Sequence, residues 1–189
     1  MVQYSDRSSN RYANRQYGSN QRWLTKALRE VAHRVEELVV GLSADELRWR
    51  PEDDEWCATE VVGFLRDSER EDLVAVRAMI RRDGAFIEER RALFGPLEND
   101  YRSAEVTDLL WDFQMLREET VWTLHTAGAA WEHTGEHPYR GLVPLGRWVH
   151  EINERDLDAM WKLQRIVGDV NDGARPRERY VVRSRLESS

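Results

Sequence analysis

Four long stretches of this chain repeat apolar side chains at intervals of three and four residues, and no stretch alternates apolar and polar residues for long enough to build a sheet. That periodicity constrains the fold more than any other feature, because it commits the core to helix faces. The first stretch follows Asn20, a residue suited to an N-cap, and carries Trp23, Leu24, Ala27, Leu28, Val31, Val35, Leu38 and Val39 before Gly41. Ser43 and Glu46 have the spacing of a capping box for a short helix that Pro51 closes. The second long helix is expected from about Ala58 to Arg82, before Gly84. The third follows Ser103 and reaches about Thr126, before Gly128; the fourth starts near Pro144 and stops at Gly168. The pattern predicts an all-α four-helix bundle with a long connection between its third and fourth helices.

Composition narrows the function classes. The 189 residues carry a net charge of −7, yet residues 1–22 sum to +3 and residues 169–189 to +1, which leaves −11 on the middle of the chain. An acidic body argues against nucleic-acid binding by the bundle, which would need a positive footprint. The apolar runs are too short to cross a membrane. Residues 1–20 are polar and lack the apolar segment of a signal peptide, so a cytoplasmic location is expected. One cysteine, Cys57, allows neither an internal disulfide nor a thiolate metal cluster. The expected organisation is a flexible polar arm over 1–20, a bundle over 21–168 and a flexible Arg-rich tail over 169–189.

One stretch carries family information. Trp56-Cys57-Ala58-Thr59-Glu60-Val61-Val62-Gly63-Phe64-Leu65, with acids following, resembles the start of the second helix in the DinB/YfiT-like superfamily. The preceding Leu42-Ser43-Ala44-Asp45-Glu46-Leu47 resembles that family's lead-in helix. Trp148-Val149-His150-Glu151-Ile152-Asn153-Glu154-Arg155-Asp156 resembles its last helix. The resemblance spans about residues 21–168 and implies a DinB-like four-helix bundle, often dimeric. It also implies a divalent metal held by three histidines, one on the second helix and an i, i+4 pair on the last, serving thiol-dependent transferases and isomerases. At the matching positions this chain has Phe64, Arg155 and Ala159. None of them can replace an imidazole, and arginine stays protonated. No metal and no cofactor are therefore expected.

Helical projection places charge where imidazoles would have been. The inward stripe of the last helix is Trp148, Ile152, Arg155, Ala159, Leu163 and Ile166. That of the second is Val61, Phe64, Leu65, Ser68, Ala75, Val76 and Met79, with Glu71 and Asp72 on or beside it. Arg117 lies inside the stripe of the third helix. Three arrangements satisfy buried charge of this kind. Arg117 and Arg155 could pair internally with Glu71 and Asp72, could line a pocket for a small anionic ligand, or could reach water at the bundle end. The candidate ligand site is Phe64, Ser68, Glu71, Asp72, Arg117, Arg155 and Ala159. Two function classes follow: a metal-free bundle that binds a small ligand or a protein partner, and a metal- or thiol-dependent transferase or isomerase acting through a non-standard site.

Other residues are weaker candidates. His133 and His137 are four apart, but Gly135 and Pro138 argue for a loop between and after them. Cys57 stands at a capping position with no histidine near it in sequence to activate it. Of eight tryptophans, Trp23 and Trp148 fall on inward stripes, whereas Trp111 and Trp122 join Met115 on the outer face of the third helix. That row of large apolar side chains is the candidate interface of a homodimer.

Overall fold

A computed structural model describes residues 21–92 and 95–173. The expected arm over 1–20, the Asn20 cap and all five tail arginines lie outside those residues. Four long helices form the bundle: α1 (Gln21–Val39), α3 (Ala58–Arg81), α5 (Val106–His125) and α6 (Leu145–Asn171). The short α2 (Ala44–Arg48) leads into α3. Its capping box is made as expected: the Ser43 N–H donates to Glu46 Oε2 at 2.7 Å and the Glu46 N–H to Ser43 Oγ at 3.4 Å. Helix α6 runs past Gly168 to Asn171, one turn beyond the expected stop. Gly168 has open space around it and no left-handed backbone, so the residue permitted a stop that the chain does not make.

Helix α1 packs against α6 and α5, and α3 packs against the same two. Helices α1 and α3 therefore face each other across the bundle, although α2 is all that separates them in sequence.

The connections hold a small sheet that periodicity did not predict. Strand β1 (Ala85–Phe86) runs parallel to β2 (Thr134–His137), which pairs antiparallel with β3 (Gly141–Pro144). Strands of two to four residues are too short to show a two-residue period. Gly135 lies where a Cβ would come 2.8 Å from Ile87 Cδ1 and 3.0 Å from Met79 Cγ, so glycine lets the long connection close onto the end of β1 and onto α3. A further short helix, α4 (Gly95–Glu98), and 3-10 turns at Tyr101–Ser103 and Gly128–Glu132 complete the connections.

The core is two apolar clusters. One gathers Leu24, Leu28, Val76, Met79, Val121, Leu124, Trp148 and Ile152. The other gathers Val31, Val35, Val61, Leu65, Leu110, Phe113, Ala159 and Leu163. On α1 the residues of one cluster give way to those of the other within about one turn, and on α3, α5 and α6 over about two to three turns. At that height lies the polar material of the molecule's centre.

Candidate functional site

The stretch between the clusters is charged on three helices. Glu69 and Asp72 come from α3, Arg117 from α5, and Arg155 and Asp156 from α6; α1 contributes the Leu28 carbonyl. Arg117 is wholly buried. Its Nη1 donates to Asp156 Oδ2 at 2.6 Å and to the Leu28 carbonyl at 2.8 Å, and its Nη2 donates to Glu69 Oε2 at 2.7 Å. The Phe113 ring lies 4.9 Å from the guanidinium carbon. Arg155 donates through Nη1 to Asp72 and through Nη2 to Asp156 Oδ1 at 3.0 Å, and Nη2 stands 3.6 Å from Glu69 Oε2. A third guanidinium arrives from the connection after β1. Arg90 Nε donates to Asp72 Oδ1 at 2.8 Å, Nη1 donates to Glu151 Oε2 at 3.3 Å, and the group lies 3.9 Å over the Trp148 ring.

Three guanidiniums thus meet three carboxylates that are wholly buried. Desolvating so many charges is costly, and the cost is offset only where each is paired in good geometry. Here the signs balance. Burial works against the charge on Arg117, but Asp156 and Glu69 outweigh it and hold its pKa above the ordinary arginine value. The same competition, with Asp72, Asp156 and Glu69 prevailing over burial and over Arg117, raises Arg155. Both arginines are fixed cations, and their planar forks suit carboxylate pairs that a lysine could not match.

The seven predicted residues separate into four groups. Asp72, Arg117 and Arg155 come together in the layer. Phe64 and Ala159 are buried in its apolar surroundings; Phe64 packs against Trp56 with ring centroids 5.1 Å apart and planes tilted by 56°, and Ala159 belongs to the second cluster. Ser68 is buried beside Glu69 on α3. Glu71 lies apart from the layer, where its Oε2 accepts the backbone N–H groups of Arg91 and Ala92 at 3.0 Å each. Its expected pairing with Arg117 and Arg155 is made instead by Glu69 and Asp156. Both substitutes were visible in the pattern. Glu69 continues Leu65, Asp72 and Val76 at intervals of four, three and four, and Asp156 falls between Ile152, Ala159 and Leu163 on the same rule. Arg90 carried no such signal, because it reaches the layer from an irregular segment.

Two smaller constellations flank the layer. At the start of α3, Glu60 accepts the Cys57 N–H at 2.8 Å and pairs with Arg50. Burial raises the Glu60 carboxyl, but Arg50 and the Cys57 N–H outweigh this and hold it below the usual glutamate value. Burial pushes the Cys57 thiol up to about 11. Further along α3, the Tyr101 hydroxyl donates to Asp67, and its ring lies against Gly63. His133 and His137 do not converge. His133 Nδ1 donates to the Met79 carbonyl at 2.8 Å, whereas His137 ends β2 beside Tyr139 and Trp148.

Trp111, Met115 and Trp122 are exposed at 65%, 54% and 67%. Trp23 is exposed too, although its position on the stripe of α1 predicted burial, and so is Trp161. The outer tryptophans are therefore more numerous than the pair on α5.

The two clusters follow in one order along α1 and α6 and in the reverse order along α3 and α5, so these two helix pairs run in opposite directions; with the lead-in helix and the connections that carry the small sheet, they define a particular class of bundle. The chain belongs to the DinB superfamily, whose family model matches residues 27–155. Among solved structures it is similar to YfiT from Bacillus subtilis, which is described as a probable metal-dependent hydrolase with an unusual four-helix bundle topology. The two share 15% identity, with a TM-score of 0.73 over 81% of this chain and 89% of the other. No curated protein matches the chain.

The metal that the resemblance implies does not fit the residues present. Phe64 and Ala159 offer no ligand atom, and Arg155 is committed to Asp72 and Asp156. Among the described residues, no group of three or more His, Cys, Asp or Glu side chains is placed to hold a metal ion.

Proposed function

We propose that this chain is a DinB-type bundle in which an ion-pair layer replaces the metal centre, and that it binds a small anionic ligand or a protein partner and does not catalyse. The observation that carries the reading is Arg155. It stands where the resemblance implies a histidine, and it engages Asp72 and Asp156 of the buried layer. A cation fixed on the protein supplies the charge that a divalent ion would bring, without an open coordination position for substrate. Elemental analysis of protein purified without a histidine tag tests this. Less than about a tenth of an equivalent of zinc, nickel, iron or manganese is expected, with a melting temperature unmoved by a strong chelator. Stoichiometric metal would overturn the proposal and favour a transferase or hydrolase with a non-standard site.

The protein partner in this proposal is a second copy of the chain, meeting the outer face of α5. Trp111, Met115, Glu118 and Trp122 follow one another at intervals of four, three and four, which makes a single exposed seam along the helix. Sedimentation at about 100 μM is expected to show a dimer that Trp111→Glu with Trp122→Glu dissociates. A monomer at that concentration would remove this part of the proposal. A cytoplasmic site of action belongs to the same proposal; no described helix is long and apolar enough to cross a membrane.

A further inference from the structure

The end of the bundle where α6 stops carries a groove of about 250 Å³. Its apolar residues are Pro51 and Trp56, from the turn before α3, and Ile166, from the last two turns of α6. Ile166 is buried, whereas Pro51 and Trp56 are half-buried. Lys162 bounds one side, with Nζ 4.3 Å over the Trp56 ring. The volume is below the range of small-molecule sites, about 300–1,000 Å³, and suits one or two side chains of a peptide.

The surroundings of the groove are acidic. Glu52, Asp53, Asp54 and Glu55 are consecutive in the turn that supplies Pro51 and Trp56. Of the four, only Glu55 has an ion pair among the described residues, with Arg165 at 2.6 Å. Arg165 also stands 3.9 Å from Asp169, one turn further along α6. Arg50 reaches the Asp53 carbonyl, but its charge is spent on Glu60. Glu52, Asp53, Asp54, Glu55 and Asp169 are thus set against Lys162 and Arg165 alone, a net charge of −3. Like charges this close cost one another free energy until cations join them.

The chain that continues from this end has the complementary sign. Helix α6 stops at Asn171, and Gly173, at φ 84°, takes the left-handed backbone that follows a helix end. Residues 174–189 come next, outside the described residues. They hold Arg175, Arg177, Arg179, Arg183 and Arg185 against Glu178 and Glu187, a net charge of +3. Their apolar run is Tyr180-Val181-Val182, with Arg179 before it and Arg183 after it. From Gly173, Ile166 is about 10 Å back along the helix. The chain from Gly173 to Tyr180 can span up to about 23 Å. An apolar run between two cations is therefore within reach of an apolar groove rimmed by anions.

We infer that the Arg-rich tail docks on its own bundle: Tyr180, Val181 and Val182 occupy the groove on Pro51, Trp56 and Ile166, and Arg179 and Arg183 pair with Glu52, Asp53 and Asp54. The docked tail covers Trp56, whose ring packs against Phe64. The groove is separate from the ion-pair layer and from the outer face of α5, so the inference does not depend on the metal-free reading or on the dimer.

Photo-cross-linking of the full chain, with p-benzoylphenylalanine in place of Tyr180, tests the inference. At about 5 μM protein a tail tethered to its own bundle outcompetes one from another molecule, because its effective concentration is of millimolar order. Irradiation is expected to join the tail, within one chain, to the peptide holding Pro51–Trp56 or to that holding Lys162–Ile166. Mass spectrometry of the digest reads the product. Arg179→Glu with Arg183→Glu should lower its yield at least about fivefold, as for the loss of two exposed ion pairs. Adding Glu52→Lys, Asp53→Lys and Asp54→Lys, all at exposed positions, should restore at least about half of the parent yield, because the signs are again complementary. No cross-link overturns the inference, and so does one to another part of the bundle or between two chains. A yield that the reversed tail leaves unchanged, or that the second reversal does not restore, overturns it as well.

Discussion

Arg117 is the side chain on which the most buried charge depends. Removing it leaves Glu69 and Asp156 without the guanidinium that satisfies both, and Asp156 then relies on Arg155 alone. Arg117→Ala is expected to cost about 3–5 kcal/mol in urea unfolding, the usual penalty for stripping one partner from a buried pair. A loss below about 1 kcal/mol would mean that the carboxylates are hydrated or protonated once the arginine is gone. Glu60 gives a pH dependence with a defined sign. Its folded pKa is depressed, so its contribution is fully present above the unfolded value of about 4.3 and is lost as pH falls through the lower folded value. Glu60→Gln should therefore flatten part of the acid limb of stability below about pH 4.3 and leave its neutral-pH slope unchanged. Cys57 is buried with its thiol pushed up to about 11, so native protein at pH 8 should resist a thiol reagent that labels the unfolded chain within minutes.

At the scale of elements, the tightest dependence joins α3 to the turn at Tyr101–Ser103. A Cβ on Gly63 would come 2.5 Å from the Tyr101 ring, too close for any real contact. Gly63→Ala should destabilise the bundle by about 1–3 kcal/mol, as for other overpacked sites. The double variant with Tyr101→Ala should show a smaller additional loss than the sum of the singles, because the clash is then gone. Denaturation of the four variants gives the coupling directly. Gly63 lay within the stretch that resembled the superfamily, but nothing in the sequence named the side chain it accommodates. Local spacing could find the helices and their inward faces, since both follow from a period of 3.6 residues. It could not find β1 to β3, whose two to four residues pair across a long connection, or Arg90, which is delivered by that connection. Trp23 misled for the converse reason: it fits the stripe of α1 by angle, but it stands within a turn of the start of that helix and remains exposed.

For the whole molecule, the charged layer separates two apolar clusters that could each extend into it. Replacing Glu69 and Arg117 together by Leu and Met removes one anion and one cation, leaving Asp156 to Arg155 and Asp72 to Arg155 and Arg90. Buried ion pairs exchanged for apolar residues of similar volume are often neutral or gain about 1–4 kcal/mol. The double variant should therefore unfold at a urea concentration no lower than that of the parent, in contrast to Arg117→Ala. A large loss for both would show that the layer is irreplaceable for stability. The layer also has a consequence for alignment along the bundle axis. An apolar stripe repeats every turn or two, so a helix sliding by one turn, about 5.4 Å, would still present hydrocarbon to hydrocarbon almost everywhere. Here such a slide carries Arg117 off Glu69 and Asp156 and sets an unpaired guanidinium against leucine and valine. The charges act as index marks cut at one height on three rods, with the Leu28 carbonyl as the mark on the fourth. Only one relative height of the four helices brings all the marks into line.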